Sequence, residues 1–220
     1  MDLMALVANS LLVVLSLIMG IRLLRGYAAR RRNHSLWYAV GLLLTAVAAF
    51  PELYLRLTGG LVTPLWWAYW VAASSLVGFL AVGTAFLLGD TAGKAALAVA
   101  GALTLWLIVA VFLTAGPAPA GITHETLSKA PNGIIKAPFL IQNIAGALLI
   151  LGGALWSFVR TRAVGCLYIA LGTLVFSSGG SAAGLFGLPA VFYVTQTAGI
   201  ILLYIGVTQA AAPRMVRAGL

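Results

Sequence analysis

The chain has only four acidic residues, and one of them, Glu52, lies in an apolar stretch directly after Pro51. A carboxylate in hydrocarbon is costly and is usually paired or functional. Arg56 follows four residues later, at the spacing that puts two side chains on one face of a helix. The pair could bind a proton, a cation or a polar solute in an outward-facing cavity. Alternatively, it could form an interfacial ion pair whose arginine extends to the headgroups.

Four aromatic side chains follow closely in the sequence: Trp66, Trp67, Tyr69 and Trp70. Indole and phenol rings favour the membrane interface, because one end of the ring is apolar and the other forms hydrogen bonds. The cluster therefore predicts an aromatic belt. Because four rings in five positions point in several directions around a helix, some of them are also expected to face the bundle beside Glu52.

Uncharged polar residues form the third candidate group. Serine and threonine in apolar helices usually mark close helix packing. Gln196 differs from them, because its amide has four hydrogen-bonding sites to satisfy near the middle of the membrane. The predicted substrate-binding residues are Glu52, Arg56, Tyr69, Trp70, Ser74, Tyr193, Gln196 and Thr197. No nucleophile–base arrangement, metal-ligand spacing or phosphate-binding glycine loop is present, so we predict no enzyme activity, no cofactor and no metal.

Composition defines the class of protein. Of 220 residues, 62% are hydrophobic and 8% are charged, whereas soluble domains carry about a quarter charged residues. The chain is therefore expected to be an integral membrane protein of a bacterial or archaeal cytoplasmic membrane, with the lipid bilayer as its main partner. The net charge of +9 does not indicate nucleic-acid binding, because the basic residues form short clusters between long apolar runs.

Seven apolar runs are long enough to cross a hydrocarbon core of about 30 Å as helices. A lipid-exposed segment must satisfy its own backbone groups, and this favours helix throughout. The predicted spans are Leu3–Leu24, Leu36–Leu57, Pro64–Leu88, Ala95–Ala115, Pro138–Val159, Val164–Phe186 and Pro189–Ala211. The sequence therefore predicts an all-α membrane protein with seven transmembrane helices in a single domain, residues 1–220.

The basic residues predict the orientation of the bundle. Ten of the 13 Lys and Arg residues lie in segments that share one side of the predicted topology, and three lie on the other side. Cytoplasmic loops carry the excess of basic residues in membrane proteins. The N-terminus is therefore predicted to lie outside and the C-terminus in the cytoplasm.

The first three predicted helices resemble the last three. The matching segments are LWYAVG (Leu36–Gly41) with LYIALG (Leu167–Gly172), AYWV (Ala68–Val71) with VFYV (Val191–Val194), FLAVG (Phe79–Gly83) with LLYIG (Leu202–Gly206), and Asn9 with Asn143. Residues 1–90 and 138–213 are thus predicted to be parallel three-helix repeats. Residues 91–116 form a linker helix and 117–137 an external loop. Parallel repeats are an established design of transporters.

This arrangement resembles the architecture of SWEET sugar facilitators and of the wider transporter–opsin superfamily. The chain departs from SWEET proteins because it contains no Pro-Gln dipeptide. It departs from microbial rhodopsins because its last helix has no lysine for a retinal Schiff base. The layout also resembles the seven-helix sensor regions that precede histidine kinases.

The leading functional hypothesis is a small-solute facilitator with a central path between the two three-helix halves. Tyr69, Ser74, Tyr193, Gln196 and Thr197 would line the path, with Glu52 and Arg56 at its outer mouth. The competing hypothesis is a ligand- or lipid-sensing or accessory subunit that acts through a partner membrane or signalling protein. A third possibility is that the polar residues only pack helices together.

Overall fold

All the regular secondary structure in the described part of the chain is helical. The structure, a computed structural model, describes residues 3–123, 127, 132–186 and 189–210, and in the last two helices it describes side chains up to Ser178 and from Val191. Seven long helices fall within these ranges: α1 (Leu3–Arg30), α2 (Asn33–Thr58), α3 (Thr63–Leu88), α4 (Asp90–Thr114), α5 (Gly133–Thr161), α6 (Val164–Phe186) and α7 (Pro189–Ala210). No strand occurs among them, as the sequence predicts.

Local signals explain where several helices begin and end. Gly59 ends α2 in the left-handed conformation with φ 73°, which glycine adopts without steric cost. Pro64 stands in the first turn of α3, where a missing backbone donor costs nothing. The side chain of Asn132 caps α5 by accepting a hydrogen bond from the Ile135 amide at 3.0 Å. The same side chain donates to the Thr114 carbonyl oxygen, so it ties the end of α4 to the start of α5.

Six of these helices are long and apolar enough to cross a membrane, judged by length and composition of the described residues. The chain is therefore an α-helical membrane protein. In α6, the described apolar stretch is Val164–Ser178, which is shorter than a full span.

Several helices extend beyond the predicted apolar runs. α1 continues to Arg30, so most of the basic segment after the first run is helical. α4 begins at Asp90, not Ala95. α5 begins at Gly133 and includes the last residues of the predicted 117–137 loop. The physical reason is that apolar composition marks the hydrocarbon crossing, whereas a helix can continue through the headgroup region with polar side chains.

The packing order of the helices forms a closed ring. Around the ring, α1 packs on α2, α2 on α3, α3 on α5, α5 on α6, α6 on α7, and α7 on α1. α4 lies outside the ring against α3 and α5. Of the six helices long enough to cross a membrane, α3 is the most enclosed, with 67% of its span buried, compared with 22% for α4. The ring therefore surrounds a central space, and α4 supports it from one side.

Glycines allow the closest approaches in the ring. A Cβ built on Gly172 of α6 would lie 2.7 Å from the backbone nitrogen of Leu203 in α7, and one on Gly206 would lie 2.7 Å from the Gly165 carbonyl oxygen. On the other side of the ring, a Cβ on Gly83 of α3 would meet the Tyr38 ring at 2.7 Å. Small residues let helix backbones approach in this way in membranes.

Some predictions concern residues outside the described ranges. They include the tight turn at 187–188, the loop residues His124, Glu125 and Lys129, and the basic residues Arg214 and Arg217. They remain predictions.

Candidate functional site

The ring of helices contains a partly open cavity of about 580 Å³. All six ring helices contribute to its wall, and α4 does not. The lining residues are Leu12 from α1; Thr45, Ala48, Ala49 and Glu52 from α2; Tyr69, Ala73, Leu76, Val77 and Leu80 from α3; Phe139, Asn143, Ile144, Ala147, Leu148 and Ile150 from α5; Thr173, Phe176 and Ser177 from α6; and Phe192, Gln196 and Leu203 from α7. Most of the wall is apolar, and the polar groups are few.

Glu52 is held at one end of this cavity, called here the Glu52 end, where α2 finishes and α3 begins. Its side chain is 8% exposed. The Tyr193 hydroxyl donates a hydrogen bond to Glu52 Oε2 at 2.7 Å. Arg56 Nη2 in turn donates to the Tyr193 hydroxyl oxygen at 3.1 Å, and its guanidinium carbon lies 5.2 Å from the Tyr193 ring centroid. The result is a chain of three side chains across α2 and α7.

This chain of contacts changes the interpretation of the Glu52–Arg56 pair. Among the described residues, the tyrosine hydroxyl joins the two charges, and they form no direct hydrogen bond with each other. Glu52 is buried and forms part of the cavity wall. The direct Glu52–Arg56 ion pair considered from the sequence is therefore not formed in this structure. A buried carboxylate held by a neutral hydroxyl keeps its second oxygen for another partner.

Aromatic rings surround the same end of the cavity. Tyr69, Phe139 and Phe192 line the wall. Trp70 packs behind them, with its ring centroid 5.4 Å from Tyr69 and 5.7 Å from Phe139, both edge-on. Phe192 is likewise edge-on to Tyr193, at 5.3 Å. Edge-on contacts of this kind hold aromatic rings in fixed orientations.

Two of the four aromatic residues are buried among the helices, which the sequence predicts for some of the four rings without showing which. Trp66 and Trp70 are 2% and 1% exposed, and they pack in a cluster with Leu107 and Val111 of α4. The reason is the central place of α3, because α2, α4 and α5 cover most directions around its first turns. Trp67 is partly buried, and its indole NH donates to the Gly116 carbonyl oxygen at 2.8 Å.

The other predicted site residues divide into two groups. Gln196 lines the cavity together with Glu52 and Tyr69. Ser74 and Thr197 are not among the lining residues. Ser74 is fully buried and accepts a long hydrogen bond of 3.5 Å from Gln142 Nε2 of α5. The Thr197 hydroxyl oxygen is buried and has no hydrogen-bond partner among the residues that the structure describes.

Several lining residues were not predicted from the sequence. Phe139 stands alone in an apolar run, and nothing in its spacing marks it. The Thr173 hydroxyl donates to the Ile169 carbonyl oxygen at 2.8 Å, which is the ordinary contact of a threonine in a helix. Phe192 and Asn143 belong to the predicted repeat matches, with AYWV and with Asn9, but neither is among the predicted site residues. The Asn143 amide donates to the Phe139 carbonyl oxygen at 2.9 Å.

The opposite end of the ring is packed. On α3 and α7 the cavity wall reaches Leu80 and Leu203. Beyond that level the Tyr38 hydroxyl and the Thr84 hydroxyl are 2.6 Å apart and both side chains are buried. In this conformation the cavity therefore extends from the Glu52 end to about the middle of the bundle.

The described residues contain no group of three or more His, Cys, Asp and Glu side chains placed to hold a metal ion. Comparison with known proteins adds no assignment: no family model, no curated protein and no solved structure matches the chain. The site must therefore be interpreted from its own chemistry.

Proposed function

We propose that the protein is a small-solute facilitator whose path runs through the ring of six helices. The observation that carries this proposal is the cavity of about 580 Å³, lined by all six ring helices and reaching both Glu52 and Gln196. Pockets for small organic ligands have volumes of roughly 300–1,000 Å³ and few, well-placed polar groups. A solute in this position touches both three-helix halves, as a transported solute must.

A parallel repeat of α1–α3 and α5–α7 is part of this proposal. The sequence matches pair residue 41 with 172 and residue 80 with 203. In the first half, a Cβ on Gly41 would meet the Leu80 side chain at 2.6 Å, and in the second, a Cβ on Gly172 would meet the Leu203 backbone at 2.7 Å. The paired glycines therefore lie against the paired leucines, which supports the repeat independently of sequence similarity.

The order of helices around the ring gives a second line of support. If α1, α2 and α3 correspond to α5, α6 and α7, the α3–α5 interface corresponds to the α7–α1 interface, and both occur. Transporters of this kind expose a central site to one side at a time by rocking one repeat against the other. The packed end around Tyr38 and Thr84 would have to open in the alternate state.

We further propose seven membrane crossings, with α6 as the sixth, and an outside N-terminus. The basic residues of α1 support this orientation: Arg22, Arg25 and Arg30 are all exposed near its C-terminal end. The Glu52 end of the cavity then lies toward the outside.

An odd number of membrane crossings places the two ends of the bundle on opposite sides of the membrane, and an even number places them on the same side. With seven spans, cysteines at Met4 and Gln209, both exposed in the structure, would lie on opposite sides of the membrane. We expect a membrane-impermeant thiol reagent to label Met4→Cys in intact cells and Gln209→Cys only after permeabilisation, in a Cys166→Ala background. Labelling of both from the same side would contradict the seven-span proposal.

Transport itself is tested by flux into liposomes across a panel of small solutes. Ala147 lines the cavity, so Ala147→Trp is expected to fill part of it and lower flux by about tenfold or more, since an indole takes the space that a solute would occupy. Leu105→Trp, at a site that is 62% exposed on α4, is the matched control and should transport normally. Absence of flux for every solute with folded protein would refute the proposal.

A ligand-sensing or accessory subunit remains the second candidate, and the packed end of the ring favours it. A pocket that is closed at one end is also the shape of a receptor site. α4 has a large outward surface, with Phe112 61% and Leu113 79% exposed, on which a partner membrane protein could pack. Saturable ligand binding without flux would support this candidate over the first.

A further inference from the structure

We infer that the solute bound in the cavity is an organic monocation, with an ammonium group at Glu52 and a hydrocarbon body directed toward the middle of the bundle. This inference rests on the proposed function, because it names the chemical class of solute for the same cavity. The argument depends on the carboxylate, the position of its counter-charge, the aromatic rings and the apolar wall.

The carboxylate has one oxygen free for a ligand. Glu52 Oε2 accepts the Tyr193 hydrogen bond, and no described group donates to Oε1. The side chain is 8% exposed and is part of the cavity wall. An ionised carboxylate buried this far needs further compensation, because a single neutral donor does not replace its hydration.

The counter-charge of Glu52 does not face the cavity. Arg56 donates to the Tyr193 hydroxyl and lies over the Tyr193 ring, and it is not among the lining residues. Those lining residues include no lysine, arginine or histidine. A solute in the cavity therefore meets one negative group and no positive one, and Coulomb attraction is stronger in such an apolar enclosure than in water.

The rings near Glu52 suit a cation as well. Tyr69, Phe139 and Phe192 line the cavity at the same end as the carboxylate. The faces of aromatic rings attract cations, and ammonium ligands are often bound among several rings. A carboxylate beside aromatic rings is therefore a better match for an ammonium group than for an uncharged donor.

Most of the remaining wall is apolar, and its uncharged polar side chains are Thr45, Asn143, Thr173, Ser177 and Gln196. Leu76, Leu80 and Leu203 line it from α3 and α7. A sugar would bring many hydroxyl groups against these leucines, and a hydroxyl buried without a partner is destabilising. The sugar class implied by the SWEET resemblance thus fits the wall poorly, whereas an alkyl or arylalkyl body fits it well.

Binding of three probes of similar size and different charge tests the inference: phenethylammonium, 2-phenylethanol and 3-phenylpropionate. The purified protein is placed in nanodiscs of uncharged lipid, and dissociation constants are measured by titration calorimetry. We expect phenethylammonium to bind about tenfold or more tightly than 2-phenylethanol, and 3-phenylpropionate to bind weakest. Equal binding of the three probes, or preference for the neutral or anionic one, would overturn the inference.

Two charge-neutralising variants localise the effect. Glu52→Gln is expected to remove the preference for the cation, so that phenethylammonium and 2-phenylethanol bind within about twofold of each other. Asp90→Asn removes the same charge at an exposed position in α4 and should keep the preference. Loss of the preference in both variants would assign it to general surface charge. If Glu52→Gln does not fold, the wild-type probe series still decides the matter.

The experiments distinguish failure of the cation inference from failure of the proposed transport function. A neutral solute that crosses liposomes through a protein with no cation preference would leave the facilitator in place and refute the cation class. Cation-selective binding without flux of any solute would support the cation class and refute the facilitator.

Discussion

Replacing Gly172 with leucine is expected to cause the largest loss of stability of any single substitution considered for this bundle. A Cβ at this position would lie 2.7 Å from the Leu203 backbone nitrogen and 2.8 Å from the Gly199 carbonyl oxygen. Backbone atoms cannot rotate away, so α6 and α7 must separate. We expect a loss of about 3 kcal/mol, at the upper end of overpacking costs. Thermal unfolding in detergent, followed by size-exclusion chromatography, measures the change.

Two matched variants show whether the loss comes from this contact. Gly41→Leu lies between α2 and α3, at the position that the proposed repeat pairs with Gly172, but its nearest neighbour is the Leu80 side chain at 2.6 Å, with backbone no closer than 3.2 Å. A side chain can move, so a loss of about 1 kcal/mol is expected. Gly152→Leu has no neighbour within 4 Å and should be near neutral. A Gly172→Leu protein as stable as Gly152→Leu would contradict this packing.

The sequence predicted the class of protein better than it predicted the ends of the helices. The class of protein and the helical architecture follow from composition, because apolar chains in lipid must satisfy their backbone groups locally. Helix ends were predicted less well: α1 and α4 run into polar segments that remain helical. Apolar content locates the hydrocarbon region, and it says little about where the helix stops.

The candidate site was predictable only in part. Glu52, Tyr69 and Gln196 were singled out because their side chains are unusual in a membrane span, and all three line the cavity. The Glu52–Tyr193 hydrogen bond joins residues 141 positions apart in the chain, and it depends on how α2 and α7 face each other. No local pattern carries that information.

Which of the tryptophans face the bundle could not be predicted, for a similar reason. An aromatic belt is the common outcome for rings near a membrane interface, but it presumes that the helix faces lipid. Trp66 and Trp70 lie on α3, the most enclosed of the six helices long enough to cross a membrane, so their rings pack against α4. Whether a helix is central or peripheral is a property of the whole packing order, which the apolar runs do not encode.

Replacing Arg56 with methionine is expected to lower stability and raise cation affinity together. Methionine keeps much of the length of the side chain and removes the donor to Tyr193 and the positive charge near Glu52. A buried charge that loses its compensating partner typically costs 3–5 kcal/mol. Because Arg56 is partly exposed, we expect about 2 kcal/mol, measured by thermal unfolding. Phenethylammonium should bind several-fold more tightly, because it then supplies the missing positive charge.

The double variant Glu52→Gln with Arg56→Met shows whether the instability of Arg56→Met comes from the lost charge or from lost packing. If the stranded carboxylate causes the instability, its neutralisation should restore at least half of the lost stability, since the two effects are coupled through one network. The tighter binding of phenethylammonium should disappear at the same time. Arg25→Met, at an exposed position on α1, controls for loss of a positive charge in general and should change neither quantity. Instability that persists in the double variant, with unchanged cation affinity in Arg56→Met, would mean that Arg56 only packs against Tyr193.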